Sequence, residues 1–291
     1  MRPLEEIERR RVFRCRLLPD RALRTFDEAA AFLTERGLLT RTADCRLPSL
    51  FESCHEEPYS EGGRGFASWP RTAWWWASEL EQMPDVTVLK VHRGKNLMLT
   101  GDVLRLVDPI CRAELERLTP TRPSSAREKD TRRLLDHLAD AGPSTLASLE
   151  EELGLHSREL RAIRYPLERC GALVSRSVVE RTQGRRCRTG PAGHLRHDEP
   201  DGPEAPDGAH VHTSELARYD QVVLEPLSEK DTTGAMEDAV VAGVDAAVVA
   251  EERDVCRWFS WTWYLDAGLV DRLVAARRIL RPAPGMVATT T

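Results

Sequence analysis

The chain has 291 residues, 41% of them hydrophobic and 31% charged, and a formal net charge of -5. That length allows two domains of common size or three small ones, each with its own core. No apolar run approaches a membrane span, and the charged opening MRPLEEIERRRVFR lacks the apolar segment of a secretory signal, so a membrane partner is not expected. Seven scattered cysteines with no CxxC pair argue against a disulfide framework and point to a reducing cytoplasm.

Taken in chain order, Thr25-Phe26-Asp27-Glu28 fits a capping box and predicts a helix over 26–36, ended by Gly37. Residues 54–70, with Gly62, Gly63, Gly65 and two prolines, read as a loop. Arg71 to Met83 is helical by pattern and carries Trp74-Trp75-Trp76. VTVLKVHRGKNLMLT, 86–100, reads as a β-hairpin about Arg93-Gly94, and a helix over 102–118 follows until Pro120 and Pro123. Ser125-x-x-Glu128 opens a helix over 126–140 with Leu134, Leu135 and Leu138 on one face. Gly142-Pro143 breaks it. A short helix carries Leu146, Leu149 and Leu153 and closes at Gly154. Ser157 then caps a third helix, whose Leu160, Ile163 and Leu167 make the inward seam. Pro166 removes a backbone donor, so this helix should kink or end near Tyr165.

After Gly171 the run LVSRSVVER is strand-like, with a basic turn at Gly184 and a second strand possible beyond it. Helix, helix, helix, hairpin is the order of a winged helix-turn-helix. The Pro-, Gly- and Asp-rich stretch 190–209 reads as a flexible linker or a long wing tip. Helical segments near 235–250, 251–259 and 266–276, then β-like pieces at 278–281 and 286–288, repeat the theme in degenerate form. The expected fold is α+β and helix-rich, with tandem winged-helix modules. The expected divisions are an N-terminal α/β, winged-helix-like region (1–123), a winged helix (124–189), a linker (190–209) and a C-terminal degenerate winged helix (210–291).

Charge is unevenly distributed. Between 157 and 188 nine arginines face three glutamates, whereas 198–252 holds fifteen acidic residues against Arg218 and Lys230. A local basic surface sets the footprint on a phosphate backbone. Arg158, Arg161 and Arg164 lie off the leucine seam and could contact phosphates and base edges, or form a solvated face balanced by Glu159 and Glu168. Arg176 on the strand, and Arg181, Arg185, Arg186 and Arg188 about the turn, form a basic wing that could meet the sugar–phosphate backbone or remain an exposed loop. In the last block Arg272, Arg277 and Arg278 sit in acidic surroundings, so a packing role is favoured there.

Several stretches resemble the AlkZ-like (YcaQ-like) proteins, and most closely their AlkZ-related branch: RRRVFRCRLLPDRALRTFDEAAAFLTERGLLT, RLPSLFES, RYPLERCGALVSR, RDVCRWFSW and GLVDRLVAARRILRPAPG. The resemblance implies tandem winged-helix modules, duplex DNA as partner, no cofactor, and excision of alkylated or crosslinked bases by hydrolysis of the N-glycosidic bond. Glycosylase members carry a polar pair, such as Gln-Φ-Gln, shortly after the first helix to hold the attacking water. The matching window, Leu38 to Ser49, has no glutamine, and the chain has only Gln82, Gln183 and Gln221. Asp44 is the single carboxylate in the window and the one catalytic candidate. The alternative is a non-catalytic winged-helix regulator or interaction protein.

Other features have plainer readings. Three consecutive tryptophans span about 200° of a helix, so two in the core and one against another domain is preferred to a base-stacking platform. Trp258 and Trp261 read as core, and Trp263 is open. His194, His197, His210, His212 and Cys187 fit no standard closed zinc site, so no metal is expected. Cys54-His55 with Glu52 lacks the frame of a thiol hydrolase. EGGRG, 61–65, lacks the Lys-Ser/Thr of a phosphate loop.

Overall fold

A computed structural model of the chain describes residues 4–56, 71–119, 121–181 and 210–290. It is a helix-rich mixture of α and β in which the described residues run three times through one order: helix, strand, helix, helix, strand, strand.

Helix α1 (Leu4–Arg14) precedes the first repeat, which comprises α2 (Phe26–Arg36), β1 (Leu38–Thr40), α3 (Leu50–Cys54), α4 (Arg71–Leu80), β2 (Val86–His92) and β3 (Lys95–Thr100). The Thr25 cap of α2 is as expected, its hydroxyl accepting the Glu28 N–H at 3.2 Å, but the Glu28 carboxylate accepts the N–H of Arg24 at 2.6 Å, one residue before the cap. At the hairpin, Arg93 and Gly94 both have positive φ (54° and 79°), which suits a two-residue turn between twisted strands. Helix α5 (Gly101–Leu118) leads to the second repeat: α6 (Ala126–Ala141), β4 (Ser144–Thr145), α7 (Leu146–Leu153), α8 (Ser157–Arg169), β5 (Leu173–Arg181) and β6 (His210–Arg218). After the short α9 (Tyr219–Val222) comes the third: α10 (Thr232–Ala247), β7 (Val249–Glu251), α11 (Glu252–Val255), α12 (Leu269–Ala275), β8 (Leu280–Ala283) and β9 (Met286–Ala288).

All three sheets are antiparallel and share one strand order, β1-β3-β2, β4-β6-β5 and β7-β9-β8. In each, the last strand sits in the middle. The register of β5 on β6 runs from Leu173 opposite Arg218 to Arg181 opposite His210. Residues 210–218 therefore belong to the second sheet, and the division expected before residue 210 cuts through it. The error has a physical source: the pairing is closed across a long intervening segment, so no short turn announces it. The stretch 190–209 and the strand expected soon after Gly184 lie outside the described residues.

Helix α8 also departs from expectation at both ends. His156, not Ser157, is the N-cap, its N–H donating to Glu159 Oε2 at 2.9 Å. The helix continues through Pro166 to Arg169. A proline at 166 deprives the Ala162 carbonyl, four residues back, of its helical donor. Arg127 Nη2 of α6 supplies a replacement at 3.2 Å, so the orphaned acceptor is satisfied and the helix persists.

The largest apolar cluster draws on all three repeats, including Leu38, Leu47, Leu89 and Val91 from the first, Cys170 and Val174 from the second, and Val244, Trp258 and Trp261 from the third. Helix α5 crosses it and carries two carboxylates with no solvent exposure. Asp108 accepts from Arg112 Nε (2.9 Å), the Tyr219 hydroxyl (3.1 Å) and the Leu227 N–H (2.9 Å). Glu114 accepts from Arg117 Nε (3.0 Å), Trp263 Nε1 (3.0 Å) and the Tyr264 hydroxyl (2.9 Å). Burial, then the neighbouring Glu114 carboxylate, pushes the Tyr264 phenol up to about 12.

Gly243 of α10 lets the Trp258 ring lie flush on the helix: a Cβ there would meet the ring at 2.8 and 2.9 Å. Gly243→Ala is therefore expected to lower the unfolding free energy by about 1–3 kcal/mol, the usual cost of overpacking, as read from urea unfolding. An unchanged midpoint would show that Trp258 does not hold this position.

Candidate functional site

The window after α2 places Asp44 in the loop between β1 and α3, where its carboxylate has two partners. Oδ1 lies 3.0 Å from His92 Nε2, and Oδ2 accepts from Lys95 Nζ at 2.6 Å. His92 ends β2 and Lys95 begins β3, so the tight Arg93–Gly94 turn aims both at one carboxylate. The Asp44 side chain is 18% exposed, while His92 is fully buried. Burial raises the Asp44 carboxyl's proton affinity. The Lys95 hydrogen bond and the neighbouring His92 more than offset this and hold the group below its ordinary range, so it is ionised at neutral pH.

On its other edge His92 Nδ1 lies 2.7 Å from the Trp258 carbonyl, in the third repeat. A carbonyl can only accept, so Nδ1 carries a proton. Nε2 then faces the Asp44 carboxylate and, at 3.8 Å, the Cys45 thiol. Burial pushes that thiol up to about 12, and it remains protonated when left to itself. Elsewhere in the window the Thr40 hydroxyl is within hydrogen-bond reach of the Thr42 and Pro48 carbonyls, at 3.1 and 3.2 Å, and so does not offer itself to a ligand.

The arginines of α8 divide into two groups. Arg158 and Arg161 are exposed. With Arg127, Ala162, Tyr165 and Pro166 they line an open depression of about 430 Å³. Arg164 is turned away from it: only 18% exposed, its Nη1 donates to Glu168 Oε2 at 2.8 Å. Glu168, nearly buried, also accepts from Lys90 Nζ of β2 at 2.5 Å. The same end of α8 is covered by the first hairpin, where the Cα face of Gly94 lies against the Tyr165 hydroxyl. Of Arg158, Arg161 and Arg164, packing rather than a kink at Pro166 leaves the first two free, while Arg169 at the helix end lies over the Tyr165 ring, 6.0 Å from its centroid.

Arg176 is exposed on β5, opposite Glu215 in register. Arg181 ends that strand, and its side chain lies outside the described structure, as do residues Arg185, Arg186 and Arg188 and the histidines and cysteine of 187–197. In the third repeat Arg272 pairs with Glu237 (3.1 Å) and Asp266 (2.8 Å), and Arg278 with Asp238 (2.5 Å), while Arg277 is exposed. Trp76 is buried and Trp75 is 57% exposed on α4; Trp258 and Trp261 are fully buried, and Trp263 is 51% exposed. Cys54 is buried and His55 Nε2 meets the Arg16 carbonyl at 2.8 Å, an arrangement without a thiol–imidazole pair.

Sequence reasoning found Asp44 and missed His92 and Lys95, which lie 48 and 51 residues further on. The one available signal was a His and a Lys flanking a tight turn, which by itself says nothing of what they face. Among the described residues no helix is long and apolar enough to cross a membrane.

No family model and no curated protein matches the sequence. Among solved structures, the chain is similar to the DNA glycosylase AlkZ of Streptomyces sahachiroi, with a TM-score of 0.53, 11% identity, and coverage of 99% of this chain and 70% of that one. The three repeats and their connections thus form an AlkZ-like fold.

Proposed function

We propose that the protein binds duplex DNA through the N-terminal half of α8, with the three repeats serving as winged-helix modules. Their common order and sheet topology support the module reading. The observation that carries the binding reading is the depression beside Tyr165. There Arg158 and Arg161 stand free at the start of the second helix of a helix-turn-helix, the part of that motif that enters the groove between the phosphate chains, which both side chains are placed to contact. Arg127 adds a third positive charge from α6. Arg176 extends the basic surface along β5, toward the wing that carries Arg181, Arg185 and Arg186 in the sequence. Arg164 is no part of the binding face, because Glu168 holds it. A DNA glycosylase as fold relative agrees with a nucleic-acid partner.

One observation favours a second reading, N-glycosidic hydrolysis. Asp44 is ionised and partly exposed in the window where a water-holding group would be needed. Both its oxygens already accept from His92 and Lys95, however, and no glutamine stands beside it. The geometry fits binding without excision better.

The double variant Arg158→Ala/Arg161→Ala should weaken binding to a duplex and reduce the slope of log affinity against log salt by about 2, close to one per lost phosphate contact. Fluorescence anisotropy across a salt series measures both, and an unchanged slope would refute the proposed face. Arg164→Ala should leave that slope alone and instead cost about 1–3 kcal/mol of stability, since it removes a partner from the buried Glu168.

Duplex carrying N7-alkylguanine separates binding from excision. Retained binding with abasic sites no more frequent than in a protein-free control is expected. Abasic sites that form with the native chain and disappear with Asp44→Asn would establish the second reading instead.

A further inference from the structure

The loop after β1 and the end of β2 bring three donor atoms of different chemistry to one place: an Asp44 carboxylate oxygen, the Cys45 sulfur and His92 Nε2, all within 4.8 Å of one another. We propose that they form a site for one borderline divalent cation of the zinc class, with solvent as the fourth ligand. The inference is independent of DNA binding by α8.

Three features support it beyond proximity. The first is orientation: the Trp258 carbonyl holds the Nδ1 proton, so Nε2 is the ring atom that faces the Asp44 carboxylate and the Cys45 sulfur, and an entering cation would take the place of the proton that Nε2 shares with Asp44. Metal-binding histidines are generally held this way, with the second ring N–H given to a carbonyl or carboxylate. The second is spacing. For a tetrahedral ion with a bond of about 2.3 Å to sulfur and about 2.0–2.1 Å to nitrogen and oxygen, the S···N edge is about 3.6 Å and the N···O edge about 3.3 Å. The observed separations are 3.8 Å for Cys45 Sγ to His92 Nε2 and 3.0 Å for His92 Nε2 to Asp44 Oδ1, within a few tenths of an ångström of those edges.

The third feature is the surrounding charge and access. Lys95 binds Oδ2, which leaves Oδ1 as a single-oxygen ligand whose other oxygen is already held. A carboxylate and a thiolate would neutralise a divalent ion, so the buried His92 need carry no charge. His92 has no exposure while the Asp44 side chain has 18%, so one side of the trio is open to water. A set of one sulfur, one nitrogen and one oxygen suits zinc-class ions; magnesium and calcium require oxygen donors. The ion would tie the loop after β1 to β2 and, through Trp258, to the third repeat.

Cobalt(II) is the probe, titrated into the full chain after treatment with a chelator. Saturation at one equivalent is expected, with a thiolate-to-cobalt charge-transfer band in the near ultraviolet, visible bands of tetrahedral intensity, and loss of both on adding zinc. Cys45→Ser should abolish the charge-transfer band, and Asp44→Asn should weaken binding about ten-fold or more. Far-ultraviolet circular dichroism of the metal-free variants, matching that of the native chain, shows that they fold. His92→Ala empties a buried position and is unsuited to the purpose. The proposal is overturned if the native chain shows no saturable cobalt signal. It is equally overturned if the band survives Cys45→Ser and is lost in Cys187→Ser, which would assign the metal to the histidine-rich stretch beyond β5.

Discussion

Two buried carboxylates on α5 hold the molecule together. Placing an ionised group where no water reaches it is costly unless hydrogen-bond donors replace the lost hydration. Asp108 and Glu114 take these donors from chain more than a hundred residues downstream: Tyr219 and Leu227 for one, Trp263 and Tyr264 for the other. Helix α5 is thus complete only when α9 and the segment after α11 have reached their places. The demand runs both ways, because the buried ends of those tyrosines need an acceptor.

The segment between α11 and α12 is where this constraint becomes relevant to function. It gives the Trp258 carbonyl to His92, the Ser260 N–H to the Val91 carbonyl at 2.7 Å, and the Trp261 indole N–H to the Cys170 carbonyl at 2.9 Å. Arg93 Nε returns a bond to the Arg257 carbonyl at 2.9 Å. One stretch of the third repeat therefore fixes the hairpin of the first and the end of α8 in the second. The Asp44 cluster is composite for that reason: its carboxylate and imidazole come from the first repeat, and the group that sets the imidazole's proton comes from the third. The open face of α8 is defined by the same packing, since the first hairpin meets the Tyr165 hydroxyl and, through Lys90, the Glu168 that holds Arg164, and leaves Arg158 and Arg161 outside.

The local grammar of the chain was readable where neighbours in sequence decide the outcome. The Thr25 and Ser125 caps, the leucine face of α6 and the Arg93–Gly94 turn are each fixed by residues a few positions apart. Misreadings arose where distant groups decide. Pro166 looked like a helix end because the donor that rescues Ala162 sits on α6. Residues 210–218 looked like the start of another domain because their strand partner lies before a long intervening stretch. Arg164 looked equivalent to Arg158 and Arg161 by spacing, but the buried Glu168 and Lys90 single it out. Asp44 could be singled out as the lone carboxylate of its window, while His92 and Lys95 carried no mark of what they would face.

Hydrogen–deuterium exchange of the full chain with and without a DNA duplex tests the central claim most directly, because it reports where the duplex lies without altering a residue. The account predicts slowed exchange at the start of α6 and over the N-terminal half of α8, with the Asp44 loop and α12 unchanged. Protection centred on α4 around Trp75 or on α12, with α8 unaffected, would contradict it.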